Sequence, residues 1–461
     1  MSGLICNWEN LMVLRKWLTK RLEIILFLIS LFCLTMILAF GFGFYTAAHK
    51  EFPYFTITSV AHAVVEKYSF QLARLTASSK HEKYRSLWFP TNESTTGVVI
   101  HQHDKISPGL TFFSDNTTSA YLIDMDGQVI HKWHKPFYDV WPQPTHVKSH
   151  IPSPQEVMIH WRKAHLLPDG SVIAIYEGAF SPYGGGIIKI DYQSDLIWKV
   201  PVNAHHDLDI DSDGRIWVLT HKYNDQAEKP RIDDYLTVLS PDGRIIKEIS
   251  LLQSVIDSPY QALLPSVLYG DYMHTNSVEL LTEDNADSFP LLNSGDILLS
   301  NKNIGAITVL DRETFQVKWA LTGVAQSFHA AHFLENGAIV FFNNRWRLFH
   351  SIRGSSLVEW DYINHQLAWE FTPIDYWTGI DPIFRGKDRF FSQFCGAQQQ
   401  LPNGNYLVTE TTGGSLFEIT PHEEVVWKYV NTQFDGQSIG GMYWGQRFSK
   451  NDLPFLNNAH P

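Results

Sequence analysis

The sequence predicts an all-β fold, a six-bladed β-propeller, preceded by one N-terminal transmembrane helix. Three observations support this prediction. Two β-hairpin patterns alternate from about residue 97 to residue 430. Aromatic residues make up 14% of the chain, as expected where large rings fill the space between packed sheets. Residues 22–47 are an almost uninterrupted apolar run.

The N-terminal segment is predicted to be a signal-anchor. Residues 1–21 form a short tail, and the run at 22–47 is long enough to span a bilayer, which takes about 20 residues. Four basic residues precede the run: Arg15, Lys16, Lys20 and Arg21. The positive-inside rule therefore places the tail in the cytoplasm and the rest outside, in the periplasm, with the inner membrane holding the anchor. A cleaved signal peptide is the alternative, although the run is long for one. Residues 48–95 are predicted to be a connector that could form a helix.

Two hairpin patterns account for most of the remaining chain. The first is an apolar strand, an aspartate or another turn residue, and a second strand that usually ends in an aromatic residue. It occurs six times, at 120–133, 185–198, 235–249, 305–319, 356–369 and 415–427. The second starts with polar residues and turns at a pair such as Asp-Gly or Asn-Gly before an apolar strand. It occurs five times, at 164–178, 206–219, 274–300, 329–342 and 397–410.

Units of four strands, repeated at a spacing of roughly 40–70 residues, are typical of a β-propeller. The count predicts six blades, with seven as the alternative. One hairpin of the second kind is missing, and we expect residues 97–102 and 109–113 to replace it by pairing with 120–133. The imbalance also predicts that strands from both ends of the domain close the ring. We place the propeller at 96–435 and a C-terminal strap at 436–461.

Composition limits the function classes and the means of stabilisation. The formal net charge is −12 with the acidic residues scattered, and nothing basic suggests a nucleic-acid partner. Of the three cysteines only Cys395 lies in the exported part, so no intramolecular disulfide is available there. We therefore expect packing and ring closure to stabilise the domain.

Three histidines begin hairpins of the second kind. His206 and His329 each lie eight residues before a turn glycine, and His274 opens the unit between them. Because the first strand of each propeller blade lines the central channel, these three rings should meet at one channel mouth. Asn276, two residues after His274, should point to the same face of its strand.

Three features of the sequence together resemble a known family. The first is the pattern Leu-Ile-Asp-x-Asp-Gly followed by His-x-Trp, the second is the set of histidine frames, and the third is the segment GAQQQLPNGNYLVTETTGGSLFEITPHEEVVWKYVN at 396–431. Over most of 97–450 the chain resembles the bacterial arylsulfate sulfotransferases, including PGLTFF and GGMYWGQRFS near the two ends. The resemblance implies a periplasmic six-bladed propeller in which a channel histidine is transiently sulfated.

The resemblance also implies which histidine is sulfated. His329 lies in a frame His-x-x-x-x-Leu-x-x-Gly followed by an apolar strand, which matches the sulfated histidine of the family. Phe342 and Asn343 stand where the family has Phe-Asp. A further channel histidine matches His206, with His205 as the alternative one residue away.

Three other positions follow from the same resemblance. His274 and Asn276 match the His-x-Asn pair of the family. Lys302 stands at or near the place of an arginine, and a lysine offers a point charge where a guanidinium offers a planar fork. The family's disulfide has no counterpart outside the membrane.

The residue types suit sulfuryl transfer on their own chemistry. A neutral imidazole is nucleophilic near pH 7, since the ordinary histidine pKa is about 6.5. His329 can therefore attack sulfur and form a covalent intermediate. His206 and His274 can exchange protons with the departing and incoming phenols. Asn276 and Lys302 can donate hydrogen bonds to the sulfuryl oxygens.

The sequence thus predicts a PAPS-independent aryl-sulfate sulfotransferase, a transferase without cofactor or metal. Its donor is an aryl sulfate, its acceptor a phenol, and its intermediate a sulfohistidine. One alternative is a non-catalytic periplasmic propeller that binds a protein or glycan partner. Another is a metal site ligated by the converging histidines.

Overall fold

The computed structural model describes residues 8–49, 87–91, 93–147, 155–178, 183–325, 327–344, 354–371 and 390–458. The first range is one α-helix, α1, Trp8–His49. Within it, Thr19–Tyr45 has a mean hydropathy of 2.8 and no buried part, so this helix is long and apolar enough to cross a membrane. The predicted connector at 48–95 falls mostly outside the described residues.

The strands of the described C-terminal part are numbered in chain order. They are β1 (Trp88–Pro90), β2 (Gly97–His101), β3 (Leu110–Asp115), β4 (Ser119–Ile123), β5 (Val129–His134), β6 (Ile159–Leu166), β7 (Val172–Gly178), β8 (Gly186–Ile190), β9 (Leu196–Val200), β10 (Ala204–Ile210), β11 (Ile216–Asn224), β12 (Arg231–Leu239), β13 (Ile245–Ser250), β14 (Thr275–Leu280), β15 (Ile297–Asn301), β16 (Ala306–Leu310), β17 (Val317–Thr322), β18 (Phe328–Phe333), β19 (Ala338–Asn343), β20 (Ser356–Asp361), β21 (Gln366–Phe371), β22 (Ala397–Gln400), β23 (Tyr406–Glu410), β24 (Ser415–Ile419), β25 (Val425–Val430), β26 (Ser438–Gly440) and β27 (Met442–Phe448). Short helices connect some of them, at Phe137–Val140, Glu156–Met158, Leu251–Ile256, Gln261–Leu263, Glu283–Ala286, Lys450–Asp452 and Phe455–Asn458.

These strands form a six-bladed β-propeller, as the sequence predicts. Blades two to five are the antiparallel sheets β6–β9, β10–β13, β14–β17 and β18–β21, each in chain order. Blade six contains β22–β25, and blade one contains β3–β5 with β27. The innermost strands β6, β10, β14, β18, β22 and β27 contact one another in turn around the channel. The five hairpins of the second kind therefore supply the inner strand pairs of blades two to six.

Ring closure uses both ends of the domain, but one predicted pairing is wrong. Leu110–Asp115 pairs with β4 as expected. Gly97–His101, expected to pair with 120–133, instead lies along β25 at the outer edge of blade six. The innermost strand of blade one is Met442–Phe448, so the ring includes residues of the C-terminal segment. Burial explains the choice, because β27 is almost wholly buried whereas β2 is half-exposed and suits an edge.

Packing between blades follows the sequence pattern. Trp133 and Trp161, from blades one and two, are fully buried in a shared apolar cluster. Trp427 is fully buried in a cluster that joins blades six and one. Large aromatic rings thus fill the spaces between sheets. Cys33 and Cys395 are both free thiols, so among the described residues this packing and the ring closure stabilise the domain.

Candidate active site

The inner strands begin with distorted backbone at the channel mouth. His206, His274 and Cys395 have left-handed φ values of 54°, 51° and 57°, which are uncommon for residues other than glycine. The registers of β10, β14 and β18 also shift near these starts. Bulges and left-handed residues of this kind re-aim side chains and cluster at functional sites. The histidine motifs therefore coincide with irregular backbone at the starts of the inner strands.

The three predicted histidines lie together. The ring centroids of His206 and His274 are 5.0 Å apart, and those of His206 and His329 are 6.3 Å apart. His206 and His329 are buried, while His274 is partly exposed. His205, the alternative to His206, is fully buried, and its Nδ1 lies 2.9 Å from Nδ1 of His206. His206, with its short distances to His274 and His329, is the member of the pair that joins the cluster.

Asn344 fixes the tautomer of His329. The Asn344 amide nitrogen donates to the carbonyl oxygens of Ser392 (2.9 Å) and Cys395 (2.6 Å). Both hydrogens of that nitrogen are thereby used, so the amide oxygen faces His329 as an acceptor. Nδ1 of His329 lies 2.7 Å from that oxygen and must donate its hydrogen to it. The remaining ring nitrogen, Nε2, therefore carries the lone pair.

The surroundings also keep His329 neutral. Its pKa is lowered well below the ordinary value, first by burial and then by the positive charges of Arg162 and Lys302. The pKa of His206 is likewise lowered well below the ordinary value, by burial, by Arg162 and by His274. Both imidazoles are therefore unprotonated near pH 7.

His274 has a carboxylate partner that the sequence analysis did not identify. Asp271 contacts Nδ1 of His274 with one oxygen, and the Tyr183 hydroxyl donates to that same oxygen over 3.1 Å. Burial raises the pKa of Asp271, but the contact with His274 outweighs it and holds the pKa well below its usual range. An ionised carboxylate on Nδ1 orients the His274 ring. Asp271 precedes the histidine by three residues in a loop, where no periodic pattern marks it.

Arg162 is another group that the sequence analysis missed. It is 5% exposed on β6, the inner strand of blade two, and its Nε lies 3.8 Å from a Glu177 carboxylate oxygen. Burial opposes its charge, but Cys395, Glu177 and Asp207 raise the pKa of Arg162 above the ordinary value. Its Nε has no hydrogen-bond partner among the described residues. The guanidinium is therefore a permanent buried cation beside His206 and His329, whose pKa values it lowers.

Asn276 and Lys302, both predicted site residues, also lie at this cluster. Asn276 is buried and its amide nitrogen donates to the carbonyl of Phe328 (2.9 Å), the residue before His329. One of its two amide hydrogens remains for another acceptor. Lys302 is partly exposed, its backbone N–H donates to the carbonyl of His274 (3.1 Å), and its charge acts on His329.

Among the described residues, His206, His274 and His329 do not together form a group whose ligand atoms are close enough to bind one metal ion. Among the described residues, potential ligand atoms come within 4.8 Å of one another in two overlapping groups. These are Glu177 with His205 and His206, and His205 with His221 and Asp234. The metal interpretation of the three converging histidines therefore moves to residues of blades two and three.

The propeller and this channel site define a class of protein: a six-bladed propeller whose channel holds neutral histidines beside a buried arginine and a partly exposed lysine. The chain belongs to the arylsulfotransferase (ASST) family, whose family model matches residues 163–432. This range includes all five predicted site residues and begins one residue after Arg162.

Comparisons with individual proteins add similarities at low identity. No curated protein matches the chain. A Bacteroides caccae protein of unknown function is 12% identical with a TM-score of 0.45, over 73% of this chain and 99% of that one. A streptogramin B lyase is 14% identical with a TM-score of 0.39, over 76% of this chain and 87% of that one. At these values neither structure informs the function.

Proposed function

We propose that the protein is an aryl sulfotransferase that moves a sulfuryl group from an aryl sulfate to a phenol through a sulfated His329. The family supports transfer of this general type. The observation that carries the proposal is the hydrogen bond from His329 Nδ1 to the oriented amide of Asn344. It leaves Nε2 as a neutral nucleophile in a buried site that is rich in positive charge.

The first half-reaction forms the intermediate. His329 Nε2 attacks the sulfur of the aryl sulfate, the N–S bond forms, and the S–O bond to the aryl group breaks. His274 gives a proton to the departing aryl oxide, and Asp271 stabilises the ring while it is charged. His206 is neutral because its pKa is lowered, so it can donate a hydrogen bond to the reacting group but cannot offer it a positive charge.

The second half-reaction returns the histidines to their starting states. A phenolic acceptor loses its proton to His274, and its oxygen attacks the sulfur of the sulfated ring. The N–S bond then breaks and His329 is again neutral. Protons balance over the cycle, since one phenol leaves and one enters, so neither a cofactor nor PAPS is required.

The sulfuryl oxygens need donors that are already in place. Arg162 supplies a guanidinium, which can bind two oxygens at once, and Lys302 supplies a second positive charge from the turn after β15. Asn276 supplies its remaining amide hydrogen. In this proposal the guanidinium that the sequence lacks at Lys302 comes instead from blade two. Donors held rigidly at a developing charge stabilise the transition state more than donors in water can.

The proposal includes a location. We propose that helix α1 anchors the chain in a membrane with the propeller outside the cytoplasm, because four basic residues precede the apolar run. Protease added to spheroplasts of cells that express the chain should therefore cut the propeller, because removal of the outer membrane exposes the periplasmic side of the inner membrane. Protection of the propeller until the membrane is opened would contradict this orientation.

The activity is tested with the full chain in detergent, incubated with 4-nitrophenyl sulfate with and without phenol. Nitrophenolate release that depends on phenol, and that is lost in His329→Ala, supports the proposal. His332→Ala is the matched control, because His332 lies on the same strand but bonds to Glu279 (3.0 Å) instead of Asn344. Release that persists in His329→Ala, or that vanishes equally in the control, would refute the role of His329.

A further inference from the structure

We propose that His205, His221 and Asp234 form a binding site for a divalent transition metal, with zinc as the best chemical match. These three residues are called the inner cluster. They come from β10, β11 and β12 of blade three and are at most 1% exposed. One ligand atom from each lies within 4.8 Å of the other two. The inner cluster is distinct from the proposed sulfuryl site, although His205 is the chain neighbour of His206.

The inner cluster presents unused electron pairs. His221 Nε2 donates to the backbone carbonyl of Tyr183, so the lone pair of this neutral ring is on Nδ1. His205 is engaged through Nδ1 with His206, which leaves Nε2. Asp234 accepts the N–H of Thr275 (2.8 Å) with one oxygen, which leaves the other.

Each of these remaining atoms is buried and has no hydrogen-bond partner among the described residues. Leaving a buried polar atom unpaired is energetically costly, so three at one place indicate a bound group. With Asp234 ionised and the ring hydrogen of His205 on Nδ1, all three atoms are electron-pair donors. Two imidazole nitrogens with one carboxylate oxygen are ligands that zinc prefers. A cation satisfies all three atoms at once, whereas a water molecule has only two hydrogens to donate.

The geometry allows binding after a small contraction. Tetrahedral zinc holds ligand atoms about 3.3 Å apart, and the three atoms lie within 4.8 Å. Rotation of the side chains can close this difference.

The alternative group of Glu177, His205 and His206 is less suited to a metal. Glu177 already accepts the backbone N–H of His206 (2.6 Å) and faces the Arg162 guanidinium. Its charge is therefore compensated without a cation, whereas no arginine or lysine forms an ion pair with Asp234 among the described residues.

A metal on the inner cluster would determine the hydrogen bonding of the sulfuryl site. Metal on His205 Nε2 leaves the ring hydrogen on Nδ1, which then donates to Nδ1 of His206. His206 must in turn keep its own hydrogen on Nε2. The metal would thus fix His206 as a hydrogen-bond donor through that nitrogen.

The test is metal content, which is read without any sulfotransfer assay. Full-length protein is purified in detergent without a polyhistidine tag, and its metals are measured by plasma mass spectrometry. We expect one equivalent of zinc, lost in His221→Ala and Asp234→Asn and retained in His332→Ala. A chelator should lower the melting temperature, and added zinc should restore it.

Cobalt keeps the test decisive if a variant does not fold. Co²⁺ added to the chelated parent protein should give the visible absorption bands of a four-coordinate N/O site, and zinc should abolish them. Absence of bound metal together with absence of cobalt bands would overturn the proposal and leave water in the inner cluster. Metal retained in Asp234→Asn but lost in Glu177→Gln would also overturn it, since the site would then be the other group.

Discussion

Replacement of Asn344 by alanine tests how the nucleophile is prepared. The substitution removes the acceptor of His329 Nδ1 and the two donors to the carbonyls of Ser392 and Cys395. The His329 ring then loses its fixed tautomer and part of its orientation. Loss of one buried hydrogen-bond partner costs about 1–3 kcal/mol, which corresponds to a fall in kcat/KM of about 5- to 150-fold.

A matched control separates this effect from lost stability. Asn405 is also buried, and its amide nitrogen donates to the Lys105 carbonyl (2.8 Å) and to Glu418 (2.7 Å). It lies at the opposite end of β22 from Cys395, beside the hairpin turn. Asn405→Ala should lower the melting temperature about as much as Asn344→Ala but leave kcat/KM for 4-nitrophenyl sulfate near the parent value. Equal kinetic losses in the two variants, or full activity in Asn344→Ala, would refute the assigned role.

Four further predictions follow from the same geometry. Arg162→Lys should lower kcat/KM for 4-nitrophenyl sulfate by about tenfold or more, because a point charge replaces a planar fork; parental kinetics would contradict this. Because burial and Arg162 lower the pKa of His329, kcat/KM should stay constant as pH falls below 6.5. Arg162→Gln should raise the pH at which kcat/KM begins to fall on the acid side; an unchanged pH profile would contradict the effect of Arg162 on His329. Gly396→Ala should destabilise the fold by about 2–3 kcal/mol, because φ is +117° and the new Cβ would lie 2.7 Å from the Phe342 ring; an unchanged melting temperature would disprove the clash. Burial, and then Arg162, lowers the pKa of His160 from 6.5 to about 3. The contribution of His160 to the free energy of unfolding is therefore present above pH 6.5 and is lost as pH falls towards 3. His160→Gln should lose less stability than the parent between pH 6.5 and pH 3, and identical pH profiles of stability would refute this role of His160.

The blades could be predicted from the sequence because their information is local. A period-two apolar pattern and a turn pair such as Asp213-Gly214 specify each hairpin within about fifteen residues. Ring closure is not local, because it depends on strands from opposite ends of the domain. Gly97–His101 pairs with the outer strand of blade six, whereas Met442–Phe448 pairs with the inner side of blade one. Only the packed structure shows which of these strands is buried deeply enough to lie innermost.

The histidines of the site were predictable for the same reason, but their partners were not. His206, His274 and His329 recur at the starts of successive hairpins. Arg162 lies at a register shift between Trp161 and Lys163, where strand alternation no longer gives the direction of a side chain.

Loop residues account for the other omissions. Asn344 follows the last residue of β19, and its amide reaches carbonyls about fifty residues further along the chain. Asp271 lies in the loop before β14 and contacts the histidine that opens this strand. Contacts of this kind depend on tertiary structure, and neither residue stands in a repeated frame.

Trapping the covalent intermediate tests the central proposal most directly. Full-length protein would be mixed with 4-nitrophenyl sulfate without acceptor, denatured at alkaline pH after one turnover, digested and analysed by mass spectrometry. The proposal predicts one sulfated peptide, with the SO₃ group on His329, which disappears when phenol is added before denaturation. Sulfation of a different residue, or nitrophenolate release without any sulfated peptide, would contradict it.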